Sequence, residues 1–356
     1  MKKCYLFNKF NRLIIVIIFL MIVPLGLSGC YREAVEQDVI PDVIWPKPPD
    51  MPRIKLVNAV RAPRDLQIRE GSWDTFMKYF TGKSEISLIS PYGIEVDHDG
   101  RLFIVDTQLR AVVVFYHKGK ISYTFPGPET SFIHPIDIAI DKKGLIYVTD
   151  SADKSVKIFS DAGKTYLKDI GRGFFERPTG IAVNEHTGEL LVIDTANSEI
   201  LRFSLTDHTF LGKISRPGND IGQLHYPTNI IVNSKGHIIV SDSLNFRVQT
   251  FDAQGKYMHS FGKPGNVPGY FARPKGVAVD SDDNIYVVDT LFDNVQMFNS
   301  DGALLMDFGK AGREYGEFWL PTGIFIDSND YIYVADTYNK RVQVFKYLKG
   351  EELLSP

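Results

Sequence analysis

The sequence predicts an all-β fold, a six-bladed β-propeller, and three observations carry that reading. The first is a unit repeated six times, led by Pro91, Pro135, Pro178, Pro227, Pro274 and Pro321 at intervals of 43 to 49 residues. A period of this size marks blades or a solenoid. The second is register. An aspartate closes the second apolar run of every copy (Asp106, Asp150, Asp194, Asp242, Asp289, Asp336), and a phenylalanine follows nine residues later each time. The third is patterning. Runs such as Ile285-Tyr-Val-Val288 are short, β-branched or aromatic, and apolar at consecutive positions. A strand of that kind is buried on both faces, as happens when blades stack around an axis.

The N-terminal segment is of another kind. Lys2, Lys3, Lys9 and Arg12 precede an apolar run from Leu13 to Leu27, and Leu27-Ser-Gly-Cys30 follows. This is the plan of a secretory signal over 1–29, and its ending resembles the bacterial lipobox, which implies lipidation of Cys30. The expected location is the cell envelope, with the protein lipid-anchored to the outer or inner membrane and facing the periplasm or the exterior. Tyr31 after Cys30 leans towards the outer membrane if the source is Gram-negative. The only other cysteine is Cys4, so neither disulfides nor thiol chemistry is expected of the exported domain. Removing 29 residues leaves 36 Lys and Arg against 43 Asp and Glu, a balance of −7. That acidity argues against nucleic acid as a partner.

Residues 30–52 contain Pro41, Pro46, Pro48, Pro49 and Pro52 and read as a semi-rigid tether. The propeller is expected over 53–350. Copies one to five each carry a fourth strand, whereas copy six runs out after Phe345. Ile54–Val60 reads as the strand that completes the sixth blade and closes the ring, removing an exposed edge. Trp73, Phe76, Met77 and Phe80 fall on one helical face after Ser72. The expected short helix belongs on the top face, where d–a and b–c connections lie, as filler for an apolar rim or as a lid on the channel.

In copies one, two and four, Asp97-His-Asp-Gly100, Asp141-Lys-Lys-Gly144 and Asn233-Ser-Lys-Gly236 supply the turn chemistry that joins strands a and b. Pro321-Thr-Gly-Ile324 and Tyr333-Val-Ala-Asp-Thr-Tyr-Asn-Lys-Arg-Val-Gln-Val-Phe345, with the preceding linker Phe308–Phe318, resemble the NHL repeat. The likeness extends over about 91–346, and with the lipobox the chain resembles a bacterial NHL-repeat lipoprotein. The resemblance implies six blades. It does not imply one activity, since fold is not function.

The repeated aspartates read as structural, with carboxylates accepting local backbone N–H bonds. Departures from the repeat are more informative. Gly93, Gly180, Gly276 and Gly323 hold the position two after the leading proline, but Asp137 and Asn229 replace glycine in copies two and four. Their oxygens are expected near the channel mouth, facing its water, a polar ligand or Ca²⁺. Two are too few alone for an ion that takes about 6 to 8 oxygens. Of eight histidines only His134 and His225 fall at the top entry, so the several axial histidines of amidating-lyase propellers are not visible. The top rim is expected to carry Arg177 and Arg273, with Arg110, Arg247, Lys275, Lys340 and Arg341 and the tyrosines 92, 226 and 338 among them. No G-x-S-x-G, H-E-x-x-H or P-loop occurs.

The expected function is extracytoplasmic binding or scaffolding of a protein, glycan or small anionic ligand, with no cofactor required and Ca²⁺ possible at the channel. The alternative is a metal-dependent lyase or lactonase at the axis. The lipobox yields a first prediction. Cys30→Ser should release the protein from the membrane fraction or block its processing. Unchanged fractionation and gel migration would overturn the lipoprotein reading.

Overall fold

The computed structural model describes residues 40–68 and 86–349. Six antiparallel sheets surround one axis. Blade one has strands Pro91–Val96, Leu102–Asp106, Ala111–Tyr116 and Ile121–Phe125, paired in sequence order as a, b, c and d. Blades two to five repeat this meander. The expected helix at 72–80 lies outside the described residues.

The continuous apolar runs are explained by the wedges between blades. Along strand b of blade one, Leu102 and Ile104 pack with Ala335 and Val342 of blade six. Phe103 and Val105 pack instead with Ile138, Ile146 and Val148 of blade two. Alternate side chains thus enter opposite wedges, so neither face of the strand meets water. The repeated phenylalanines anchor the wedges. Phe159 lies 5.0 Å from Phe125 and 5.8 Å from Phe132, and Phe345 lies 5.1 Å from Phe308 and 5.8 Å from Phe318. Each triplet staples a strand c to the outer strand and linker that precede it, in tilted or edge-on geometry that suits ring quadrupoles.

Blade six closes the ring as its missing fourth strand requires. Strand c, Arg341–Tyr347, pairs antiparallel with Ile54–Val60, from Ile54 opposite Tyr347 to Val60 opposite Val342. The blade also has a fifth strand, Ile44–Trp45, paired with Ile54 and Lys55. Trp45 sits 5.8 Å from both Phe308 and Phe345. The spacer expected over 30–52 is therefore not free along its whole length. From Ile40 the chain belongs to the propeller unit, because Ile40, Val43 and Trp45 find an apolar wedge to cover.

A second closure is polar. Thr337 Oγ1 of blade six donates to the Pro91 carbonyl of blade one at 2.9 Å. Thr195 and Thr290 make the same bond to Pro227 and Pro321, each reaching the next blade. In blades three, five and six the threonine that follows the repeated aspartate is thus an inter-blade stitch, whereas Thr107 bonds Ser90 of its own linker.

Leu56 is 2% exposed. Leu56→Ala should lower the unfolding free energy by about 2–5 kcal/mol. Deleting 53–60 should expose the edge of Arg341–Tyr347 and give an aggregating domain. Thermal unfolding unchanged by both would mean that the ring does not depend on this strand.

Candidate functional site

The site begins with the repeated aspartates. All six are fully buried. A buried carboxylate needs N–H donors, and the chain supplies them from two sides of the top face. Asp106 accepts from Ile89 and Ser90 at 2.7 and 2.9 Å, and from Gln108 and Leu109 at 3.1 and 2.9 Å. The d–a linker is thereby tied to the b–c turn. The same bonds fix the backbone of His134 through Asp150 (2.9 Å), Arg177 through Asp194 (2.9 Å) and Arg273 through Asp289 (3.0 Å).

Those three residues converge. Together with Tyr92, Ile136, Ser151, Thr179, Thr195, Tyr226, Thr228 and Lys275 they line a cavity of about 270 Å³ on the top face. Every blade from one to five contributes, so the cavity lies over the axis. Arg177, Arg273 and Lys275 face it, and among the described residues no carboxylate is in its lining. Arg177 Nη1 donates to Tyr226 Oη at 2.7 Å. Lys275 Nζ stands 5.4 Å from the centre of the Tyr92 ring. Burial, and then the Arg273 charge, push the Lys275 ammonium down to about 8. Burial pushes the Tyr92 phenol up to about 12, with Asp137 and Tyr226 adding to the rise and Arg273 opposing it.

Asp137 and Asn229 meet at the axis although they stand on blades two and four. Asn229 Nδ2 donates to Asp137 Oδ2 at 2.9 Å. Asp137 also accepts from its own neighbour Ile138 at 3.0 Å and from Ile181 of blade three at 3.3 Å. Asn229 Oδ1 accepts from Val277 of blade five at 3.1 Å. The glycines at the equivalent positions are sterically required. A Cβ on Gly323 would stand 1.9 Å from the Tyr92 carbonyl, and one on Gly93 2.6 Å from Asp137 Oδ1. The first turns of the inner strands are too close for side chains unless, as in blades two and four, the side chain bonds along the ring.

The carboxyl of Asp137 is pushed up to about 7 by burial, against hydrogen bonds from Ile138, Ile181 and Asn229. Glu95, on strand a of blade one, is pushed well above the usual carboxylate range by burial and by Asp137. The oxygens expected to be available for Ca²⁺ thus accept amide hydrogens. Among the described residues no three His, Cys, Asp or Glu side chains gather as a metal-binding group.

His225 does not join the cavity lining. Its amide donates to Asp242 at 2.7 Å, and the residue is exposed. Two expected rim residues turn inward instead. Arg341 is 1% exposed and pairs with Asp336 at 2.7 Å, and Arg247 pairs with Asp242 at 2.8 Å. Both also reach linker carbonyls, so they serve the blades and not a ligand. Lys275, one member of that expected rim, proves to be the half-buried cation of the cavity. Its distinguishing signal was a basic residue where blades three, four and six place Thr179, Thr228 and Thr322.

Asp137 gives a pH prediction. The folded state holds its proton to about pH 7, whereas the unfolded chain releases it near 3.8. Between these values the folded state binds more protons, so stability falls as pH rises. Relative to wild type, Asp137→Asn should remove part of that fall, on the order of a few kcal/mol, while Glu95 keeps the remainder. Urea unfolding at several pH values checks this. Parallel curves would mean that Asp137 is ionised throughout.

A family described as 6-bladed beta-propeller matches residues 129–229 and 219–292, and the NHL repeat matches 318–345. A probable peptidyl-alpha-hydroxyglycine alpha-amidating lyase of Caenorhabditis elegans is 30% identical over 99 residues. That match spans 27% of this chain and 28% of the relative, well under a third of its length. Virginiamycin B lyase from Staphylococcus aureus superposes with a TM-score of 0.56 at 16% identity, over 83% of this chain and 100% of that one. An auxiliary nutrient binding protein from Bacteroides thetaiotaomicron gives 0.57 at 15% identity, over 73% of this chain and 70% of that one. Identities this low speak for the fold alone. With six blades closed by the N-terminal strand, and with these matches along its repeats, the chain is a six-bladed β-propeller that carries an NHL repeat over 318–345.

Proposed function

We propose that this propeller is a binding protein of the cell envelope, tethered by lipid at Cys30, which takes a small anionic ligand in the axial cavity of its top face. One observation carries the reading. Three cationic side chains, Arg177, Arg273 and Lys275, line a single cavity whose lining, among the described residues, holds no carboxylate. Like charges brought together in a partly desolvated site destabilise one another unless an anion joins them. Arginine forks suit carboxylate and phosphate oxygens, and the ammonium adds a point charge. The tyrosines 92 and 226 supply aromatic walls, as small-molecule sites commonly do. A nutrient binding protein among the similar folds is in keeping with a binding role.

A second reading is a lyase acting in the same cavity, favoured by the likeness to an amidating lyase and to virginiamycin B lyase. Such a reaction through a metal would need ligands beyond Asp137 and Asn229. Stoichiometric calcium or zinc in the purified protein would favour it.

The binding reading is tested by calorimetric titration of the full chain with small carboxylates and with inorganic phosphate. Binding should weaken with added salt and fall at least about tenfold in the double variant Arg273→Met, Lys275→Met, the loss of about 1.4 kcal/mol or more. Absence of anion binding, or equal binding by the variant, would overturn it.

A further inference from the structure

We propose that the axial cavity is shaped for a small dicarboxylate, one carboxylate held by Arg177 on the third blade and the other by Lys275 and Arg273 on the fifth. The inference rests on the reading of this cavity as an anion site and narrows it to a ligand class.

The cations form two poles. Arg177 belongs to the linker entering blade three, and its Nη1 is held by Tyr226 Oη at 2.7 Å. That bond fixes the guanidinium and leaves its remaining donors for a ligand. Arg273 and Lys275 flank Pro274 at the start of blade five. Blade four stands between the poles, and Thr228 on its inner strand donates to the Lys275 carbonyl at 3.1 Å. That bond holds the inner strands of blades four and five together.

A single-centred anion placed at either pole would leave the other uncompensated. An anion with two ends would neutralise both. The walls between are Tyr92, Ile136 and the Tyr226 ring, which suit a carbon skeleton. The threonine hydroxyls in the lining are already engaged. Thr195 donates to Pro227 and Thr228 to Lys275, while Thr179 is within 2.6 Å of Thr195 Oγ1. A cavity of about 270 Å³ has room for about nine waters at ~30 Å³ each. That volume suits a short chain.

Protonation of Lys275 gives the site a second signature. The titratable and charged groups that share the cavity with its ammonium are Tyr92 on blade one, His134 on blade two, Arg177 on blade three, Tyr226 on blade four and Arg273 on its own blade, and Asp137 acts on Tyr92. Burial and Arg273 hold the free lysine near 8, and a carboxylate beside it raises that value. Binding thus takes up a proton around pH 8, and affinity falls as pH rises above it.

The test is calorimetric titration of the full chain with glutarate, with butyrate and with inorganic phosphate. Glutarate should bind at least about tenfold more tightly than butyrate. Arg177→Met and Lys275→Met should each bring glutarate down to the butyrate level. Glutarate affinity should drop by up to about tenfold per pH unit above pH 8, and Lys275→Arg should flatten that slope while keeping the preference. Equal affinity for glutarate and butyrate, or a preference for phosphate lost on Lys275→Met, overturns the dicarboxylate assignment and leaves the anion cavity standing. Binding of none of the three overturns both.

Discussion

Six buried carboxylates hold the top face together. Each strand b ends on an aspartate without solvent contact, and such a charge is tolerated only where donors surround it. In blades one, two, three and five it takes two amides from the linker ahead of the leading proline, as Asp289 does from Ala272 and Arg273. Blades four and six take one, from His225 and Trp319, and add an inward arginine, Arg247 or Arg341. Charge-assisted bonds of this kind are among the stronger ones. Linker, turn and inner strand are fixed to one another through a single side chain.

The structural device is also what positions the cavity. His134, Arg177 and Arg273 are the linker residues whose amides these aspartates hold. Their side chains project from backbone that cannot drift. The aspartates bind no ligand, yet the geometry of the cationic rim depends on them. Thr195, Thr290 and Thr337 after three of them add lateral bonds that join one blade to the next.

Arginines of the rim divide by where they leave the chain. Those that begin a strand c, Arg247 and Arg341, have a buried carboxylate within reach and turn to it. Those in the linkers, Arg177 and Arg273, find the same carboxylates already saturated by backbone amides. Their charge therefore remains for the cavity. Below it, the Asp137–Asn229 pair replaces two glycines of the inner ring with a hydrogen-bonded bridge. The pair seals the mouth with polar atoms that are mostly satisfied, and this is why it forms a floor more readily than a cation cage.

The sequence alone determined the number of blades, the order of strands, the closing role of Ile54–Val60 and the structural role of the repeated aspartates. All of these follow from local register, since a period of two along each strand and a fixed Pro–Asp–Phe spacing leave little choice of pairing. It also marked Asp137 and Asn229 as departures, because a broken repeat is visible in one dimension. Four things were decided by the tertiary structure. Ile44–Trp45 folds back as a fifth strand because the wedge at Phe308 and Phe345 offers apolar surface that no local pattern announces. Arg341 and Arg247 turn inward, because a partner five residues away in sequence lies directly opposite across a strand pair. His225 is left out of the cavity that His134 enters. Lys275 becomes its half-buried cation, because five inner strands from across 180 residues of chain converge on one axis, and that convergence exists only once the ring has closed.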